Sequence, residues 1–131
     1  MKGKHDLIKE WFIKAEHDLT AAKLLSKAEE LLNDVIAFHC QQAVEKYLKG
    51  YMVYLDIHFT KTHEIGRLVE NIEEKDPGIS YLKEHADLLT DYAVEMRYPE
   101  TFGMPSFEEI NEAIEVAEKV KNYVYEHINI P

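Results

Sequence analysis

Four side chains on one segment have types and spacing that could do chemistry together. His39, Gln42, Lys46 and Lys49 follow one another at three, four and three residues, which aligns them along one edge of a helix. An imidazole, an amide and two ammonium groups in a row suit a phosphate, a carboxylate or a protein surface. With Glu45 beside them, the same row also reads as a solvated flank tied by a Glu45 to Lys49 ion pair, a spacing that favours pairing. A second constellation is Arg97-Tyr98-Pro99, followed by the loop Glu100 to Pro105. There a guanidinium stands where a helix stops, next to an aromatic ring and a rigid turn, a setting suited to clamping an anion bidentately. A positive charge at a helix C-terminus is favourable by itself, so that simpler role stays open.

Other chemistries find little support. His58 and His63, with Glu64 beside the second, lack a spaced carboxylate pair and fit solvated or capping groups better than metal ligands, so no metal site is expected. Cys40 falls on an apolar helix face and reads as a small buried hydrophobe. The five glycines Gly3, Gly50, Gly66, Gly78 and Gly103 stand apart, which excludes a phosphate-binding P-loop. Ser26, Ser80 and Ser106 occupy no nucleophile elbow, and the last two read as helix caps. Residues 1–63 hold nine Lys and Arg against nine Asp and Glu, whereas residues 64–131 hold six against sixteen, so the net charge of −10 lies in the second half. Lys and Arg are what neutralise phosphates, and RNA is therefore a poor partner for much of this surface.

These side chains must be positioned by helices. The 131 residues, 46% hydrophobic and 31% charged, suit a single folded domain over 1–131. Leu7, Ile8, Trp11, Phe12, Ala15, Leu19, Ala22 and Leu25 recur at three and four, which predicts a helix from Asp6 to about Glu29. Asn33 or Asp34 caps a second, central helix running to about Asp56, with Ile36, Cys40, Val44, Tyr47, Leu48 and Met52 on its apolar face. Thr62 or His63 opens a third through Ile72, stopped by Asp76-Pro77-Gly78. Ser80 caps a fourth up to Arg97, and Ser106-Phe107-Glu108-Glu109 forms a capping box for a fifth. No strand is expected; the fold is an all-α bundle of about five helices. A lone cysteine, an opening without an apolar signal core, and no uncharged stretch longer than Val35 to Val44 make the expected compartment the cytoplasm, with no membrane span.

The run Ala15-Glu16-His17-Asp18-Leu19-x-x-Ala22, the segment Phe38-His39-Cys40-Gln41-Gln42-Ala43-Val44-Glu45-Lys46-Tyr47-Leu48-Lys49, then Thr62-His63-Glu64-Ile65 and Arg97-Tyr98-Pro99, together resemble a HEPN domain. The helix-two segment is the specific part, because it joins a buried stripe to a polar edge. The resemblance implies an up-and-down bundle, a homodimer formed through bundle faces, and pairing with a minimal nucleotidyltransferase in toxin–antitoxin-like modules. Many such domains are metal-independent ribonucleases in which an Arg is followed, after four to six residues, by a His. Imidazole would move the protons and guanidinium would stabilise the charged phosphorane. Arg97 matches the arginine and would be catalytic in that case, but positions 102 to 104 are Phe102, Gly103 and Met104.

The expected function is therefore a dimeric binding module for a nucleotide, a cognate minimal nucleotidyltransferase, or both. Its ligand or partner surface comprises His39, Gln42, Lys46, Lys49, Arg97 and Tyr98, with no cofactor required. The alternatives are a metal-independent ribonuclease with a substitute base and a purely structural helical dimer.

Overall fold

In the computed structural model, which describes residues 3–59, 62, 64–92 and 104–129, helices account for all regular structure among the described residues. They are α1 (Lys4–Leu25), α2 (Asn33–Tyr54), α3 (Ile65–Glu73), α4 (Lys83–Asp87) and α5 (Phe107–His127), with a 3-10 turn at Pro77–Leu82 between α3 and α4. No described helix is long and apolar enough to cross a membrane.

The central position expected of the second helix is observed. Ile36, Cys40, Ala43, Val44, Tyr47, Leu48 and Met52 of α2 are buried, packed between Ala15, Leu19 and Ala22 of α1 and Ala113, Val116, Ala117, Val120 and Val124 of α5. Each large aliphatic side chain removed from water in this way contributes about 1.5–3 kcal/mol. Close approach of α1 to α2 depends on Gly50, where an added Cβ would lie 2.6 Å from a Phe12 ring carbon and 3.2 Å from Trp11 Cβ. Ile65, Leu68, Val69 and Ile72 of α3, with Ile79, Leu82, Ala86 and Leu89 beyond it, close the core on another side.

The termini depart from expectation in instructive ways. α1 stops at Leu25 rather than near Glu29, because Ser26 Oγ donates to the Lys23 carbonyl at 2.6 Å and the next amides make shorter-range bonds. Asn33 is the first helical residue of α2 and not its cap; it is buried, and its Nδ2 donates to the Pro105 carbonyl at 2.9 Å, tying α2 to the entry of α5. At the far end Asp56 adopts φ 59°, while the Ile57 amide reaches Met52 O and the Asp56 amide reaches Val53 O. That pair of bonds is a Schellman termination. α3 begins at Ile65, after Thr62 Oγ1 has accepted the Glu64 amide. Its first amides, Ile65 and Gly66, donate to Thr90 Oγ1 and Asp87 Oδ1, partners from another segment.

The fourth helix is the largest correction. Pro77 starts a 3-10 turn whose cap is Asp76, accepting the Gly78 amide, and Ser80 donates to the Pro77 carbonyl instead of capping a helix. An α-helical segment follows at Lys83–Asp87, a turn at residues 88–89 interrupts it, helix resumes at residues 90–92, and the expected end at Arg97 lies outside the described residues. By contrast, the Ser106 capping box is present as expected: Glu109 N–H donates to Ser106 Oγ and Ser106 N–H to Glu109 Oε1, both at 3.1 Å.

Candidate functional site

The row His39, Gln42, Lys46 and Lys49 lies on α2 where it faces α1, and it is not a solvated flank. Asp18 of α1 reaches across the helix pair: His39 Nδ1 donates to its Oδ1 at 2.9 Å and Lys46 Nζ donates to its Oδ2 at 2.5 Å. The carboxylate is 13% exposed, against 28% for His39 and 23% for Lys46, so one part-buried anion anchors two side chains that still reach the surface. With an ionised carboxylate at Nδ1, the neutral imidazole carries its proton there, and the basic lone pair is left on Nε2. Lys46 has three donors, and Asp18 takes one.

One turn further, the expected Glu45 to Lys49 pair is present at 3.1 Å, but in a buried setting. Glu45 also accepts from Gln41 Nε2 at 3.2 Å, and Gln41 Oε1 accepts from Gln42 Nε2 at 2.7 Å. Lys49 Nζ lies over the Trp11 and Phe59 rings, 5.6 and 6.0 Å from their centroids, a cation–π arrangement. The four residues are thus brought together along one seam. His39, Gln42 and Lys46 form its accessible edge and Lys49 its packed end.

Arg97, Tyr98 and His63 lie outside the described residues, so the predicted anion clamp has no geometry to report. His58 is exposed, and no group of three or more His, Cys, Asp or Glu is poised for a metal among the described residues. Cys40 is fully buried, and burial pushes its thiol up to about 12.

Sequence reasoning did not assign three carboxylates that organise polar contacts between helices. Asp18 is the first; its signal was its place beside the buried Ala15, Leu19 and Ala22 stripe. The second, Asp76, accepts Tyr51 OH at 2.7 Å and Tyr123 OH at 2.6 Å through Oδ2, joining α2 to α5. Burial opposes its ionisation, yet the two hydroxyls, the His127 charge and the Gly78 amide outweigh this and hold its carboxyl below the ordinary value. Third, Glu16 accepts Tyr125 OH at 2.7 Å and pairs with Lys121 at 3.1 Å. Burial again opposes ionisation, and these hydroxyl and ammonium groups prevail, so its carboxyl is likewise lowered. The tyrosines respond in the opposite sense, raised by burial first and by the adjacent carboxylates second.

The described residues form an all-α helical bundle, with Asp18, His39 and Lys46 joining its first two helices. The HEPN domain model matches residues 8–128, and the chain belongs to the HEPN family. Two solved structures share the fold. One is TT1696 from Thermus thermophilus, 25% identical with a TM-score of 0.75, covering 92% of this chain and 98% of that one. The other is ST0689, described as an archaeal HEPN homologue, 23% identical with a TM-score of 0.74, covering 98% of this chain and all of that one. No curated protein matches the chain.

Proposed function

We propose that this HEPN domain is a homodimeric binding module, taking a nucleotide phosphate or a cognate minimal nucleotidyltransferase within a toxin–antitoxin-like pair. The observation that carries this reading is the fixed placement of His39 and Lys46 by Asp18 at 2.9 and 2.5 Å, each with an edge left at the surface. Side chains held before a ligand arrives lose little freedom on binding, and an imidazole beside an ammonium suits phosphate. Gln42 extends the edge, Lys49 stabilises its base, and Arg97 and Tyr98 belong to the same ligand surface in this reading.

The test is calorimetric titration of the purified protein with ATP and with AMP, and with a minimal nucleotidyltransferase where the adjacent reading frame encodes one, together with sedimentation analysis of its own assembly state. His39→Gln and Lys46→Gln should weaken association and leave the helical signal unchanged. Equal affinity in both variants rejects the seam as the ligand surface.

One observation favours a second reading, the metal-independent ribonuclease. An imidazole oriented through Nδ1 by a carboxylate is a workable general base, and His39 in the Asp18 pair is the described histidine with that geometry. Incubation with a mixed RNA pool in EDTA tests it: cleavage lost in both His39→Ala and Arg97→Ala would return the chain to the nucleases. Absence of cleavage by wild-type protein rejects that reading.

A further inference from the structure

The acidic second half of the chain is not spread evenly. A groove of about 290 Å³ runs between the end of α4 and α5, floored by Leu89, Ala113 and Val116. Asp91, Glu109 and Glu112 rim it, all exposed. His85 is the one basic side chain along it, and neither Lys nor Arg lines it among the described residues. Leu88 stands on its wall 60% exposed, a large apolar side chain held in water beside carboxylates.

Leu88 and Asp91 also line a second depression, of about 760 Å³, against α3. Its two cations are already taken, Arg67 by Glu64 at 2.9 Å and Lys83 by Glu70 at 2.8 Å. Glu84, Asp87 and Asp91 therefore leave that side negative as well. The Leu88 ridge is an apolar knob with negative charge on both flanks.

We propose that the α4 and α5 groove docks a cationic amphipathic helix from a partner protein. An apolar stripe at i, i+3 and i+4 would enclose the exposed Leu88, above a floor of Leu89, Ala113 and Val116 that is already buried, as helices do in interhelical grooves. Lysines and arginines flanking the stripe would meet Asp91, Glu109 and Glu112, with complementary charge steering the encounter and fixing the register. An anionic ligand is repelled by the same field. The surface is separate from the His39 and Lys46 seam, so it stands or falls independently of the function proposed above.

The probe is a fluorescein-labelled, 18-residue Leu/Lys peptide with an amphipathic helical pattern, titrated with the full chain and read by anisotropy. Its controls are a scrambled peptide of the same composition and spermine as competitor. Asp91→Lys combined with Glu112→Lys should weaken binding by about tenfold or more, and Leu88→Ser by several-fold, with circular dichroism unchanged. Glu109 is left intact because it closes the Ser106 capping box. The proposal is overturned if the patterned peptide fails to bind, if the scrambled peptide or spermine does equally well, or if the variants retain wild-type affinity. Conversion of a wild-type dimer to monomer by Leu88→Ser would also overturn it, since the groove would then hold a second copy of this chain.

Discussion

Asp18 and Lys46, 28 residues apart, meet at 2.5 Å across the α1 and α2 interface, and the same carboxylate holds His39 at 2.9 Å. Removing the anion leaves a part-buried ammonium and an imidazole N–H without their acceptor. Hydrogen bonds to charged groups contribute about 1.5–3 kcal/mol, and most of that is lost when one partner is deleted. Asp18→Asn should therefore lower the urea midpoint by an amount equivalent to about 2 kcal/mol, whereas Lys46→Gln, on the more exposed partner, should cost less. Urea titration of both variants and the double mutant gives the coupling energy; additive losses would show that the two side chains do not interact.

Acid should unfold the protein through the tyrosine-bound carboxylates. Asp76 and Glu16 have ordinary values of 3.8 and 4.5, and both are lowered in the fold. A carboxyl whose folded value lies below its unfolded one adds stability above the unfolded value. That contribution is lost as pH falls through the folded value. Thermal unfolding should thus be nearly flat from pH ~7 to ~5 for these two groups and drop steeply below pH ~4. Tyr123→Phe removes one of the two hydroxyls on Asp76 and should flatten the acid limb relative to wild type. An unchanged acid limb would mean that Asp76 is not a main contributor.

Gly50 sits where α1 packs closely on α2. A methyl there would lie 2.6 Å from the Phe12 ring, itself packed on Tyr125 and Tyr47 at centroid distances of 5.2 and 6.2 Å, and 3.2 Å from Trp11 Cβ, so the ring and the α1 backbone beside it must shift to admit it. In an exposed helix Gly→Ala gains about 1 kcal/mol. Here overpacking should reverse the sign, and Gly50→Ala should destabilise by about 1–3 kcal/mol. A rise in melting temperature would show that the helices separate without cost.

The apolar faces of α1, α2 and α5 could be read from sequence because burial repeats with the helical period, and the Ser106 box because both of its members lie within one turn. The start of the fourth helix could not. It depends on Pro77 and Asp76 forming a 3-10 turn, and Asp87 is occupied capping α3 from 21 residues away. For the same reason the seam was half legible: the spacing of His39, Gln42, Lys46 and Lys49 is local, whereas their anchoring to Asp18 and the packing of Lys49 on Trp11 and Phe59 arise only when α1 and α2 meet.

Cys40 should behave as part of the core. Its side chain is fully buried on α2, and burial raises the thiol to about 12. The thiolate, which is the reactive form, is then scarce at neutral pH, and reagents have no path to it in the folded chain. Ellman's reagent at neutral pH should therefore titrate no thiol in the native protein and one in denaturant. Because reaction requires opening of the core, its rate should track stability: Gly50→Ala, which strains the α1 and α2 contact, should accelerate labelling by about tenfold for each ~1.4 kcal/mol of folding free energy lost. Rapid stoichiometric labelling of the native wild type would place Cys40 at the surface and contradict the packing of α2.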